Sequence, residues 1–331
     1  MKCREEIVAK FVQDRYNIAG SVVALPGEQD ENWLIIEPEQ RHVLRISSYA
    51  TDFRRIDFVT AILRQLNSSK FRTPTLIKGQ GGSDVFEFTD AAGHVRPAWL
   101  TSFIAGDPLS SRVLSTDLAW KLGRTLVELD GELAKTQVPD EAGFTPWDLT
   151  RPQHAILMVG ETKLGSADEV IRKTLERFAQ NTLPVLADMP QTTIHNDANL
   201  DNVFYDPATS SFGFIDFGDA VRAPRVIEVA VAASYFVPQF LKNARPMALD
   251  ALISGYRSLQ QLTISELRII PECIRSRLAL AIGIATYRSM MDPSNSPYVL
   301  RQVSRARARL DALNSVTDAE LLNRWEPGMT T

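Results

Sequence analysis

Between Ser21 and Phe103 apolar and polar residues alternate in short runs, SVVAL, NWLIIE, RHVLRIS, DVFEFT and VRPAWLTSFI, separated by the turn-forming PGEQDE, EPEQ and DAAGH. A period of two puts successive side chains on opposite faces, so these runs predict the strands of an antiparallel sheet. One stretch breaks the rhythm. Over residues 51–66, Phe53, Ile56, Val59, Ile62, Leu63 and Leu66 recur near the 3.6-residue period, which predicts one helix inserted in the sheet. After Gly106 the helical period takes over, across 114–134, 167–179, 225–240, 247–262, 264–290 and 297–313. A single hairpin candidate interrupts it, NVFYD and FGFIDF around the turn PATSS. The change of period sets the expected boundary near residues 105–108. It gives an α+β chain with a small antiparallel-sheet lobe carrying one helix (1–105) and a larger, mainly helical lobe (106–331).

Composition narrows the classes. With 331 residues, 44% hydrophobic and 23% charged, the chain is long enough to bury its own core. The net charge of -4 comes from interspersed charges, so no basic face points to nucleic acid or to an anionic membrane surface. A small-molecule partner is the expectation, with oligomeric state left open. Cys3 and Cys273 stand alone, without a Cys/His cluster, which argues against a disulfide framework or a structural zinc and fits a reducing cytoplasm. The amino terminus, MKCREEIVAKFVQDRYNI, lacks the unbroken apolar core of a leader. The longest apolar stretch, 226–241, is interrupted by Glu228, Pro238 and Gln239 and falls short of the roughly 18 residues of a membrane span. It reads as a buried helix. A charge inside such a helix needs a fixed partner, and bracing of a nearby loop is the expected role of Glu228.

The chemistry concentrates in IHNDANLDNVFYDPATSSFGFIDFGD, residues 194–219. His195-x-Asp197 is followed five residues later by Asn202, and Asp216-Phe217-Gly218 begins fourteen residues after the asparagine. Phosphoryl transfer asks for this set. One carboxylate orients and deprotonates the attacking hydroxyl, while an amide oxygen and a second carboxylate hold magnesium on the nucleotide phosphates. Magnesium takes hard oxygen ligands and keeps several waters, so two protein ligands plus phosphate oxygens suffice. Taken as unrelated turn residues, six such identities would coincide by chance on the order of once in 10⁵ chains of this length. His195 fits a loop brace better than a chemical role.

These segments resemble the catalytic loop and metal-binding motif of the aminoglycoside phosphotransferase and choline kinase superfamily, whose fold is protein-kinase-like. LPGEQDENWLI (25–35), WDLTRP (147–152) and IDFGDAVRAPRVIEVAVAASYF (215–236) resemble the hydroxylysine kinase branch, and the likeness spans most of the chain. The resemblance implies a two-lobed protein-kinase-like fold and a kinase for a small, amine-bearing alcohol. Hydroxylysine or a related amino alcohol comes first, with choline, ethanolamine, homoserine or an aminoglycoside behind. It implies Asp197 as base, Asn202 and Asp216 as magnesium ligands, and ATP or GTP as donor. Residues 25–33, with Gly27 and Asn32, become the loop over the phosphates, and backbone groups of the stretch from Thr101 to Ile104, Phe103 among them, read the base.

The chain departs from that pattern in three places. Where the family carries a phosphate-binding lysine stands Arg45, and Asp57 stands for the glutamate that pairs with it; an Arg45–Asp57 pair is expected, with a planar fork in place of a point charge. The loop PGEQDEN has one glycine, not the three of G-x-G-x-x-G. Asn196 replaces a glycine, and asparagine is among the residues that best tolerate a left-handed backbone. For the acceptor, Trp147, Asp148, Arg151 and Asp219 supply an aromatic face, carboxylates for an ammonium and an arginine for a carboxylate. A catalytically weak, nucleotide-binding regulatory protein is the competing class. A protein kinase is disfavoured because GDAVRAPRV leaves no room for a long activation segment.

Overall fold

The computed structural model describes residues 5–28, 30–48, 51, 53–136, 143, 145–161, 166–238 and 247–326. It divides into two compact units. The first comprises the described residues among Met1–Gly106, Thr136–Phe144 and Gly213–Gly218, and the second those among Asp107–Lys135, Thr145–Phe212 and Asp219–Thr331.

The first unit opens with helix α1 (Glu5–Tyr16) and contains β1 (Ser21–Leu25), β2 (Glu31–Ile36), β3 (Arg41–Ile46), α2 (Phe53–Leu66), β4 (Val85–Thr89) and β5 (Val95–Ser102). The strands form one antiparallel sheet in the order β1-β2-β3-β5-β4. The alternation legible in the sequence sorts its faces. Trp33, Ile35, Leu44, Ile46, Phe88, Ala98 and Leu100 are buried with Val8, Val12 and Tyr16 of α1 in one core. α1 is a second helix that the pattern did not resolve. Charged residues separate its apolar positions, and Val8 and Val12 are buried only because the sheet lies beneath them. Arg45, one residue from Leu44 and Ile46, falls on the other face, with Asn32 and Trp99 as its direct cross-strand neighbours.

The second unit contains α3 (Thr116–Leu133), α4 (Gln153–Glu161), α5 (Ser166–Asn181), α6 (Leu183–Ala187), β6 (Gln191–Ile194), β7 (Val203–Asp206), the start of β8 (Ser211–Phe214), β9 (Val221–Pro224), α7 (Arg225–Ser234), α8 (Met247–Leu259), α9 (Ile264–Met291), α10 (Ser296–Val299), α11 (Val303–Asn314) and α12 (Asp318–Trp325). Helix α9 begins at a capping box, Thr263 with Glu266, and packs against α4, α5, α7, α11 and α12. Helices α3 and α8 meet backbone to backbone. A Cβ on Gly123 would strike the Leu252 carbonyl, and one on Gly255 the Trp120 carbonyl. The hairpin around PATSS forms as β7 and β8.

The pairing of β6 with β9 was not apparent in the sequence, yet it builds the site. Its register, Thr193 opposite Arg222 and Ile194 opposite Val221, sets the residues after β6 beside those before β9. The expected buried helix over 226–241 forms only as far as Ser234, and residues 239–241 of that stretch lie outside the described residues. Among the described residues, no helix is long and apolar enough to cross a membrane.

Candidate active site

In the second unit the chain leaves β6 through His195, Asn196 and Asp197. His195 and Asn196 are fully buried, and Asn196 takes a left-handed backbone, φ +61°. Asparagine meets that demand at less cost than most residues, and its side chain is put to use. Its Nδ2 donates to the carbonyls of Asp219 (2.9 Å) and Trp147 (3.3 Å), tying three segments together. Its N–H donates to Glu228 Oε2 at 2.8 Å, so Glu228 of α7 braces the loop as its place in an apolar helix suggested. His195 Nδ1 accepts the Asp197 N–H at 3.2 Å, which assigns the neutral ring's proton to Nε2 and makes the histidine a brace.

Asp197 is thereby aimed. Its Oδ2 accepts Asn202 Nδ2 (2.7 Å) and Asn199 Nδ2 (2.9 Å), and its Oδ1 accepts Arg277 Nη2 at 2.6 Å. Asn202 Nδ2 also reaches the Asp197 carbonyl (3.1 Å), so the amide nitrogen is committed and the amide oxygen is the group left for a hard cation. That donor suits magnesium. Neither Asn199 nor Arg277 stood out in the sequence analysis. Arg277 carried the same signal as Glu228, a charge in an apolar stretch, here CIRSRLALAIG within α9.

Burial pushes the Glu228 carboxyl up from its ordinary 4.5 to about 7, against the opposing pull of the Asn196 and His195 backbone N–H groups and of Arg277. A carboxyl whose folded pKa lies above its unfolded one contributes stability that is complete below the unfolded value and is lost as pH rises through the folded one. Stability should therefore fall between about pH 4.5 and 7. Urea unfolding of the wild type and Glu228→Gln at pH 5 and pH 8 checks this. The wild type should lose ground relative to the variant at the higher pH, and an equal gap at both pH values would rule out titration of Glu228 as the cause.

Two of the four expected acceptor residues gather here. The Trp147 ring lies 4.4 Å from the Arg277 guanidinium carbon and 5.7 Å from that of Arg288, and Asp219 Oδ1 accepts the Thr145 hydroxyl at 2.5 Å. Asp148 and Arg151 are engaged locally. Asp148 Oδ1 accepts Thr150 N–H and Oγ1 in a side-chain turn, and Arg151, 55% exposed, sits 3.6 Å from the same carboxylate. An open cleft of about 690 Å³, lined by Lys173, Arg177, Glu272 and Asp318 among others, holds none of the motif residues.

In the first unit Arg45 is shared among three acceptors, Asp216 Oδ1 (2.8 Å), Asn32 Oδ1 (3.3 Å) and Asp30 Oδ2 (3.4 Å). The expected Arg45–Asp57 pair does not form. Arg55, Ile56, Phe58 and Val59 occupy the buried side of α2, and Asp57 is exposed. Arg55 instead reaches the Asp216-Phe217-Gly218 segment, where its Nε (2.9 Å) and Nη2 (2.6 Å) donate to the Gly218 carbonyl. Asp216 is left-handed at φ +60°, and its Oδ1 also accepts the Gly218 N–H. A Cβ on Gly218 would come within 2.8 Å of that oxygen and 3.0 Å of Arg45 Nη1, so the motif leaves no room for a side chain. Gly27 is required in the same way, since a Cβ there would strike the Asp30 carbonyl and lie 2.9 Å from Asn32 Nδ2. Asp30 accepts Ser48 N–H, and Gln29 of the expected loop 25–33 lies outside the described residues.

At the end of β5, Thr101 Oγ1 donates to the Val43 carbonyl and Phe103 N–H to the Arg41 carbonyl, so neither of these donors is open to a base. Among the described residues the Ile104 N–H donates to no backbone carbonyl, so it is the open donor at the end of the expected stretch 101–104.

A model of the APH phosphotransferase enzyme family matches residues 21–262. The chain is 20% identical to the hydroxylysine kinase of Mus musculus over 302 residues, covering 83% of this chain and 80% of the relative. It is 24% identical to the homoserine kinase of Gluconobacter oxydans (strain 621H) over 254 residues, covering 74% and 75%. Among solved structures, an amicoumacin kinase in complex with AMP-PNP, Ca2+ and Ami superposes with a TM-score of 0.73 at 15% identity, over 95% of this chain and 94% of that one. A microcompartment-associated aminopropanol kinase gives 0.67 at 17%, over 96% and 99%. The fold is kinase-like, with a small antiparallel-sheet lobe and a larger helical one. With the family model matching most of its length, the chain belongs to the APH phosphotransferase enzyme family and is a kinase that phosphorylates a hydroxyl of a small molecule.

Proposed function

We propose that the protein transfers the γ-phosphoryl of ATP or GTP to the hydroxyl of a small amine-bearing acceptor, with hydroxylysine or a related hydroxylated amino acid or amino alcohol as the first candidate. The observation that carries this reading is Asp197, fixed at the end of β6 by His195, Asn199, Asn202 and Arg277. The acceptor oxygen forms a bond to the γ-phosphorus, the bridging P–O bond breaks with its electron pair leaving on the nucleoside diphosphate, and the hydroxyl proton passes to Asp197. Asn202 and Asp216 are the proposed ligands of the nucleotide's magnesium, which when bound neutralises phosphate charge. Residues 25–33 and Arg45 would hold the phosphates, and the backbone at Ile104 the base. The likeness to hydroxylysine and homoserine kinases supports a small hydroxylated amino acid, and the aminopropanol kinase likeness keeps amino alcohols in view.

The test is magnesium-dependent consumption of ATP and GTP by the purified protein, with hydroxylysine, homoserine, aminopropanol, choline, ethanolamine and an aminoglycoside as acceptors. Turnover with one of them, lost in Asp197→Asn, is the expected result. Tight nucleotide binding with no turnover across the panel would instead favour the regulatory reading, for which the tie of Arg45 to Asp216 is the specific observation.

A further inference from the structure

Arg277 is 2% exposed, deep in α9, and its cation is used only in part. Nη2 donates to Asp197 and the Tyr235 hydroxyl lies beside the guanidinium, while Nε and Nη1 are buried and find no acceptor of hydrogen-bond geometry among the described residues. Two buried guanidinium donors without acceptors are costly, and a site keeps them where a ligand completes them. Nor is Arg277 the only cation here. Arg288 lies 5.7 Å from the Trp147 ring, and Arg309 lies 5.5 Å from the Tyr235 ring with its Nε also buried and without an acceptor. The anions that face this group are Asp197 and Asp219, both already accepting hydrogen bonds, and Glu228, whose second oxygen is buried without a partner. A purely cationic acceptor would meet this arginine cluster head on. A zwitterion would satisfy it, with its carboxylate on the guanidinium fork and its ammonium toward Asp219.

We infer that the acceptor carries a carboxylate as well as its hydroxyl, and that Arg277 is the residue that reads it. This rests on the kinase reading of Asp197. It adds a consequence for the base itself. Both Asp197 oxygens are engaged, Oδ2 by two asparagines and Oδ1 by Arg277, so an acceptor hydroxyl reaches a lone pair more readily once the guanidinium turns toward another anion. The acceptor's carboxylate is that anion. An acceptor lacking it leaves Arg277 on the base, so selection falls on turnover as well as on binding.

The experiment compares matched pairs that differ only by carbon dioxide: homoserine against 3-amino-1-propanol, and hydroxylysine against its decarboxylated counterpart. The wild type should prefer the acid of the accepted pair by at least about a hundredfold in kcat/KM. Arg277→Met should bring that ratio near unity, and Arg277→Lys, which keeps the charge and loses the fork, should fall between. Melting curves report whether the variants fold, and the wild-type ratio stands without them. Equal use of acid and amine by the wild type, or an unchanged ratio in a folded Arg277→Met, overturns the inference and leaves the kinase standing. If no acceptor of either kind is phosphorylated while Mg-nucleotide binds, the kinase reading falls and the inference with it.

Discussion

Asp197→Asn is expected to lower turnover by about 10³-fold while nucleotide affinity stays within a few-fold of wild type. The substitution keeps the shape of the side chain and an oxygen able to accept from Asn202, Asn199 or Arg277, so the loop stays in place. What it removes is the capacity to take the hydroxyl proton. Asp197→Ala is the less clean version, because it strips a buried guanidinium of its bonded anion, and breaking such a pair costs about 3–5 kcal/mol. Single-turnover phosphorylation measured beside nucleotide titration separates chemistry from binding. Turnover within tenfold of wild type in the asparagine variant would remove Asp197 from the role of base.

Asp216→Asn should erase the effect of magnesium on nucleotide affinity, a loss of more than about a hundredfold where magnesium is saturating. Asparagine tolerates the left-handed backbone at φ +60°, so the variant tests charge and not strain. It also loosens the ion pair with Arg45. The magnesium-free affinity is then expected to hold or rise as the guanidinium becomes available to phosphate, so the two effects run in opposite directions. Titrations with and without magnesium read both. A magnesium-dependent tightening that survives in Asp216→Asn would exclude the carboxylate as a ligand.

Strand alternation and helical period disclosed most of the fold because each is a local property. β1 to β5 and the long helices follow runs whose burial depends on neighbours within a few residues. What stayed hidden is non-local. The four residues of β6 and of β9 are strands only because they pair with each other across 26 residues, and Val8 and Val12 of α1 become core only on the sheet. The site divides in the same way. Asp197, Asn202 and Asp216 share one continuous motif and could be named from it. Arg277 lies 80 residues beyond Asp197 and reaches it only because α9 packs against α7. The partner of Arg45 could not be read from chain order, since rotation about the α2 axis turns Arg55 inward and Asp57 outward.

The glycine contact between α3 and α8 has an electrical meaning. Asp130, two turns after Gly123, accepts the hydroxyl of Tyr256, the neighbour of Gly255, at 2.8 Å. Burial first, and then the field of Glu228, raise the Asp130 carboxyl well above its ordinary value. Two missing side chains thus act as insulation. By letting the helices close, they keep water from the Asp130–Tyr256 pair and hold the local dielectric low around Asp130, which lies in the field of Glu228. Glu228 in turn holds the backbone of Asn196. A methyl group at either glycine would admit solvent as well as force the helices apart, and its effect would reach the loop that carries Asn196 and Asp197 as a change of charge.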